Sequence, residues 1–184
     1  MIELKSTVSN IDGKLFFNED IWNRIEKIMF EIKNESGFVG KRDRFLKSNI
    51  SCLITYDNND VGFIYATQEN RYSKGLFVDI VIKKEYRSKG IGKYVLSELS
   101  SRCNVYLFGE IEESNVASNK IAEEVGIKIL SSDKNYYFFF KEKYNEFLEI
   151  NKNHDFEKAV LKNALNSNEL YNGIINEERI VKIK

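Results

Sequence analysis

Between Lys83 and Lys93 the chain carries five basic residues and one acid, and two glycines stand among them in Arg87-Ser88-Lys89-Gly90-Ile91-Gly92. Such a turn suits a phosphate-sized anion. Glycine lets backbone N–H groups come close, and the first turn of a following helix leaves its N–H groups unpaired. Two familiar phosphate loops fail here. A dinucleotide fingerprint needs a third glycine where Val95 stands, and a P-loop needs Gly at Arg87 and Ser or Thr at Tyr94. What remains, Arg-x-x-Gly-x-Gly, arises by accident in about one chain in twenty of this length. The surrounding elements must therefore carry the inference.

Those elements read as strand, turn and helix. Leu76 to Ile82 is a short apolar run rich in β-branched and aromatic residues, which predicts a buried strand. Tyr94, Val95, Leu96, Leu99 and Cys103 recur at helical spacing, so a helix runs from Gly92 to about Arg102. A second strand follows from Val105 to Ile111. Strand, crossover helix and strand make a parallel pair joined right-handedly.

With these residues in place the chain resembles the GNAT superfamily of acyl-CoA-dependent N-acetyltransferases. The segment Ile82-Lys83-Lys84-Glu85-Tyr86-Arg87-Ser88-Lys89-Gly90-Ile91-Gly92 is similar to that family's Val-x-Pro-Glu-Tyr-Arg turn followed by (Arg/Gln)-x-x-Gly-x-(Gly/Ala), with Lys84 in place of the usual proline. A second block agrees. Glu110-Ile111-Glu112-Glu113-Ser114-Asn115, followed by Ala122-Glu123-Glu124-Val125-Gly126-Ile127, resembles the downstream Glu-Val-x-x-x-Asn and Tyr-Glu-x-x-Gly-Phe segment. The likeness spans roughly residues 50 to 140.

That resemblance implies an α+β, three-layer fold with a mixed, mostly antiparallel sheet of six to seven strands flanked by helices. Two parallel strands would splay to admit the pantetheine arm of coenzyme A. It implies acetyl-CoA as co-substrate and no metal. The phosphates would lie on Arg87, Ser88, Lys89, Gly90, Ile91, Gly92 and Lys93, and the pantetheine along the backbone of Ile80, Val81 and Ile82, by the physics of strand addition. Asn115 matches the asparagine that contacts the pantetheine, and Ser118 adds a further contact.

Acetyl transfer to an amine needs a base, an oxyanion donor and an orienting groove. Glu110 aligns with the family's catalytic glutamate and is the first candidate for the base. Asp79 is the second: a carboxylate in an apolar strand is costly to bury unless it is paired or used, so it is either a base or half of a buried ion pair. The backbone N–H of Ile82 or Val81 would hold the oxyanion. One departure matters. Where the family has a tyrosine to protonate the leaving thiolate, this chain has Ala122. The chain is then either an N-acetyltransferase that uses another proton donor or an acyl-CoA-binding regulatory module without turnover.

Lys and Arg total 28 against 28 Asp and Glu, giving a formal net charge of zero. A protein that grips many phosphates would show a basic excess, which disfavours nucleic-acid partners and a toxin-like transferase acting on aminoacyl-tRNA. The resemblance implies as acceptor a primary amine of a small molecule or of a protein or peptide. Aromatic residues in the loops around Phe38, Tyr72 and Tyr136 would wall its pocket. Cys52 and Cys103 form no CxxC pair and read as reduced core thiols, which with no leader and no long apolar run predicts a cytoplasmic chain without membrane contact.

The remaining elements follow from periodicity. Ile2 to Val8 predicts an edge strand. Asn18 caps a helix that buries Ile21, Trp22, Ile25, Ile28, Met29 and Ile32, and Lys41 to Lys47 forms a second, exposed helix. Asp57-Asn58-Asn59-Asp60 turns a hairpin. Ser114 caps a helix that buries Ala117, Ile121 and Val125 and ends at a left-handed Gly126. Tyr136 to Phe140, five consecutive aromatics, predicts a strand covered on both faces. Residues 1–142 make the acetyltransferase-like domain. Residues 143–184 form a helical extension packed on it or at a homodimer contact, with a last strand from Arg179 to Lys184 and a solvent-facing His154.

Overall fold

The computed structural model describes residues 1–11, 14–36, 42, 45, 48–67, 75–102, 106–131 and 134–139. Phe38, Tyr72, Cys103, His154 and the extension 143–184 lie outside them. Strands β1 (Ile2–Ser6), β4 (Ile50–Tyr56), β5 (Asn59–Thr67), β6 (Gly75–Ile82), β7 (Tyr106–Glu112), β8 (Ile127–Ser131) and β9 (Lys134–Phe138) form one sheet in the order β1-β4-β5-β6-β7-β9-β8. Short strands β2 (Val8–Ile11) and β3 (Lys14–Phe17), which periodicity did not reveal, pair with each other. The helices are α1 (Glu19–Ser36), α2 (Ile91–Arg102) and α3 (Val116–Val125). The expected mixed sheet is therefore present: β1-β4, β4-β5, β7-β9 and β8-β9 pair antiparallel, and β6-β7 pairs parallel.

Two compact units share strand β6. The first comprises residues 1–67 and 79–92, the second residues 68–78 and 93–184.

In the first unit α1 begins as expected. Asn18 accepts a hydrogen bond from the Ile21 N–H at 3.1 Å through its side chain, and Glu19 and Asp20 oppose the helix dipole. All six apolar residues of the predicted stripe are buried, packed with Phe45, Leu53, Phe63 and Tyr65 into one core. Trp22 is a core residue there, with its ring edge-on to Phe45 at 5.1 Å. Phe45, on the segment expected to be exposed, is fully buried because this aromatic cluster needs it. The β4-β5 hairpin closes through Asp57 and Asn58, both at positive φ (48° and 63°), the geometry that matches the right-handed twist of paired strands. Arg24 of α1 grips Asp60 with two hydrogen bonds, Nε to Oδ2 at 2.9 Å and Nη2 to Oδ1 at 2.5 Å, holding Asp60 below the usual carboxylate range.

Strands β5 and β6 meet unusually closely. A Cβ on Gly62 would stand 2.1 Å from the Val81 carbonyl oxygen and 2.9 Å from Ile82 Cδ1, inside any permitted contact.

In the second unit Gly75, Leu76 and Phe77 of β6 lie in parallel register with Tyr106, Leu107 and Phe108 of β7. Val95, Leu96 and Leu99 of α2 are buried as predicted, whereas Tyr94 is exposed. Helix α3 departs from expectation. Asn115, not Ser114, caps it, its Oδ1 accepting from the Ser118 N–H at 3.2 Å. Its inward positions are Asn119 and Ala122, while Ile121 and Val125 are half-buried and Ala117 is exposed. A polar residue can face inward here because its amide is fully used. Asn119 Nδ2 donates to the carbonyls of Glu112, Glu113 and Asn115 at 2.9, 3.3 and 3.0 Å, and Oδ1 accepts from Asn135 Nδ2 at 2.8 Å and the Tyr137 hydroxyl at 2.9 Å.

Gly126 is extended (φ −121°, ψ −170°), not left-handed. Space explains the glycine, since a Cβ would come within 2.7 Å of the Phe138 carbonyl oxygen and 2.8 Å of Phe139 Cδ1. Tyr136, Tyr137, Phe138 and Phe139 are all buried, which bears out the two-faced cover predicted for that strand as far as it is described. No helix among the described residues is long and apolar enough to cross a membrane.

Two expectations follow for stability. Gly62→Ala forces the β5 and β6 backbones apart, so it lowers stability by about 1–3 kcal/mol. In a thermal melt that is roughly 2–4 °C per kcal/mol for a chain of this size, and an unchanged midpoint would remove the close approach from the account. Burial, with Glu123 beside it, pushes the Tyr137 hydroxyl from 10.0 up to about 12. The folded state therefore holds this proton when the unfolded state has lost it. The contribution is whole below pH 10 and declines as pH rises toward 12, by about 1.4 kcal/mol at pH 11. Tyr137→Phe removes that part of the alkaline loss, read as the difference between wild-type and variant denaturant midpoints at pH 9 and pH 11.

Candidate functional site

Two groups of residues carry the chemistry read from the sequence, one in each compact unit.

In the first unit, β6 ends at Ile82 and the chain reverses into α2 through a single turn of 3-10 helix, Lys84–Tyr86. Lys83 N–H donates to the Val61 carbonyl at 2.8 Å, so residue 83 aims its backbone groups at β5, and the Val81 carbonyl points at Gly62 in the same direction. Backbone groups alternate sides along a strand, so those of Ile82 face away from β5. There the Ile82 carbonyl accepts a hydrogen bond from Arg87 Nε at 2.9 Å. This corrects one expectation. Val81 is turned toward its strand neighbour and drops out as an oxyanion donor, which leaves the Ile82 N–H.

After Arg87, which is extended, Ser88 and Gly90 both take left-handed backbone (φ 61° and 75°) before α2 starts at Ile91. Alternation of left-handed residues curls a chain so that successive N–H groups converge on one side, the geometry of an anion-binding nest. The opening N–H groups of α2 add to it. Arg87, Ser88, Lys89 and Gly90 are all exposed, so the concave side is reachable. A Cβ on Gly90 would meet nothing within 4 Å, so only its φ demands glycine there. Lys89 lies over the Tyr86 ring at 4.8 Å, a cation-π contact that fixes the turn from outside. Lys93, expected on the phosphates, is paired instead with Glu124 of α3 at 2.8 Å.

Strand β6 is buried only in its first half. Leu76 and Phe77 are buried, Ile80, Val81 and Ile82 are half-buried, and Asp79 is exposed. The premise that Asp79 is a buried carboxylate is thus overturned: it is exposed, although Phe77 and Val81, two residues to either side, are buried and packed on the core respectively. Its exposure removes the burial cost that singled it out.

In the second unit, Glu110 of β7 faces the same side of the sheet as Glu112, with Tyr136 directly opposite on β9. Its side chain is 16 % exposed and takes an ion pair from Lys134 Nζ at 2.5 Å, with Glu112 at 3.4 Å completing the group. The hydrogen bond to Glu110 raises the Lys134 pKa against the opposing effect of burial, so the lysine stays charged. The sequence reading missed Lys134. Its signal was present, an opposite charge in the turn before the predicted Tyr136–Phe140 strand, but only the β7-β9 register brings the two together.

The turn after Glu112 is fixed from within by Asn119, whose amide ties the carbonyls of Glu112, Glu113 and Asn115. Asn115 spends its Oδ1 on the Ser118 N–H, so these two predicted cofactor contacts meet each other in a helix cap. Ala122 is completely buried and holds only a methyl group. No cluster of three metal-ligating side chains occurs among the described residues.

Comparison with known proteins adds to this geometry. The model of the acetyltransferase (GNAT) family matches residues 18–127. No curated protein sequence matches the chain. Among solved structures, the aminoglycoside acetyltransferase AAC(6')-Ib in complex with coenzyme A is similar with a TM-score of 0.55 at 8% identity, covering 79% of this chain and 98% of that one. Naa50 of Arabidopsis thaliana, bound to the bisubstrate analogue CoA-Ac-MVNAL, is similar with a TM-score of 0.51 at 14% identity, covering 74% and 96%. At such identities the likeness is one of fold.

Proposed function

The chain belongs to the GNAT family of acetyltransferases, and we propose that it transfers an acetyl group from acetyl-CoA to a primary amine of a small molecule or a peptide, by direct attack within a ternary complex. The observation that carries this reading is the turn from Arg87 to Gly92. Two left-handed residues open a helix among exposed cations, a shape and charge suited to a pyrophosphate, and the turn lies inside the stretch matched by the family.

In this reading the N–H groups of Ser88 to Gly92 and the side chains of Arg87 and Lys89 hold the phosphates. Lys93 joins them only by leaving Glu124. The outward backbone of Ile82, with Ile80 two residues earlier, offers hydrogen bonds to the amide-bearing arm, and the Ile82 N–H holds the carbonyl oxygen as charge develops on it. Asn115 and Ser118 stand at the opening of α3 as further polar contacts for that arm.

Glu110 takes the proton from the acceptor amine. The neutral nitrogen forms its bond to the thioester carbon, the C–S bond breaks and the thiolate leaves, while the cationic nitrogen so formed sheds its surplus proton to water. Ala122 has no proton to give, so water supplies it. A thiol is acidic enough to need little help: its unperturbed pKa of about 8.5 lies far below that of an alcohol. Asp79, exposed midway along β6, is the second candidate for the base.

A second reading has its own observation. Glu110 is already paired with Lys134 and Ala122 replaces the acid, a combination compatible with a module that binds acyl-CoA and responds to it without turnover.

Acetyl-CoA at a hundredfold excess over its dissociation constant stabilises the fold by about 2.7 kcal/mol, which is roughly 5–11 °C in a melt at ~2–4 °C per kcal/mol. Gly90→Val abolishes that gain, because valine resists φ near +75°. Absence of any shift at millimolar acetyl-CoA would sink the reading. Glu110→Gln keeps the shift and lowers thiol release across a panel of primary amines by about 10²-fold or more. Full release by that variant would pass the role to Asp79.

A further inference from the structure

Resting on the assignment of Glu110 as base, we propose that Lys134 is its positioning residue: the ammonium fixes Glu110 Oε1 and so sets the rotamer from which the carboxylate meets the acceptor amine. The register makes this contact a choice. Lys134 stands directly opposite Glu112 across the β7-β9 ladder, and Glu110 lies on the diagonal opposite Tyr136. The nearest partner would be Glu112. Instead Nζ reaches back along the strand to Glu110 at 2.5 Å and leaves Glu112 at 3.4 Å.

Burial accounts for the preference. Glu112 is 64 % exposed, where screening leaves a pair little to gain, whereas Glu110 is 16 % exposed and its field is felt more strongly. Buried Tyr136 stands across from Glu110 on β9 and restricts the space left to its carboxylate. A glutamate has three rotatable bonds, and one held by a charged hydrogen bond keeps the geometry that proton transfer needs. The hydrogen bond to Glu110 also raises the lysine's own pKa, so the anchor stays protonated while the base turns over. Lys134 touches neither substrate nor cofactor in this account, and acts only through Glu110.

The test is steady-state thiol release from acetyl-CoA with the best amine of a panel, run on wild type, K134M, K134R and E112Q. Methionine keeps the length of the side chain and removes the charge. K134M is expected to lower kcat by about 10- to 100-fold, with KM for acetyl-CoA and the acetyl-CoA thermal shift unchanged. K134R recovers most of the loss, since a guanidinium can reach the same carboxylate. E112Q leaves kcat close to wild type. Unchanged kcat in K134M overturns the proposal, as does a K134M defect that Arg does not relieve or that E112Q reproduces. Loss of the thermal shift in K134M makes the lysine merely structural and overturns it too. Failure of the wild type to bind acetyl-CoA fells the functional reading itself. Binding without turnover of any amine, by contrast, overturns the role of Glu110 and with it that of Lys134.

Discussion

A strand ending at Ile82 must become a helix beginning at Ile91, and that reversal is the constraint from which the rest follows. Strand backbone pairs laterally and helix backbone pairs along its axis, so a chain passing from one to the other leaves donors without partners. Here the passage is closed by three local devices: the Lys83 N–H to Val61, Arg87 Nε on the Ile82 carbonyl, and left-handed turns at Ser88 and Gly90. Closing it any more fully would consume the N–H groups that an anion needs. The non-glycine Ser88 at φ 61° carries a conformational cost that a purely structural turn would shed by using glycine.

The close approach of β5 and β6 works upstream of that reversal. Gly62 lets the Val81 carbonyl come in where any side chain would exclude it, and the alternation of the strand then aims Ile82 the other way. The direction of the Ile82 N–H on the central strand of the sheet is thus set by a glycine on a neighbouring strand. Sequence reasoning saw a carboxylate within an apolar run and inferred burial, but Asp79 is exposed between Phe77 and Val81 on its own face, and the run does not tell where along a strand the cover stops.

Legibility in the sequence followed the range of the interactions. The α1 stripe, its Asn18 cap and the Asp57-Asn58 turn are local, and each was readable from spacing and residue type. The turn from Arg87 to Gly92 was readable for the same reason. Contacts that depend on register were not. Lys134 finds Glu110 only after β9 is laid beside β7, and Asn119 finds Asn135 and Tyr137 only after α3 lies against β9. Helix α3 was misread because apolar residues were assumed to point inward, whereas a fully satisfied amide took that place. Gly126 was misread because glycine at a helix end usually signals left-handed backbone, and here it signals the nearness of Phe138 and Phe139.

Register also separates two kinds of polar chemistry that lie back to back on β7 and β9. Gly109 opposite Tyr137 and Ile111 opposite Asn135 share one face, and Glu110 opposite Tyr136 with Glu112 opposite Lys134 share the other. On the first face the polar groups are buried and neutral, and each finds its partner within the Asn119 network, as stability requires. On the second they are charged, two carboxylates around one ammonium, with Glu110 and Lys134 largely covered and Glu112 open. The Lys134–Glu110 contact holds one of the two carboxylates in a fixed position, and the more exposed Glu112 is left at the longer distance. Adjacent residues in one strand therefore answer to different demands, Tyr137 to the fold and Tyr136 to the charged face, and period two is what keeps the demands apart.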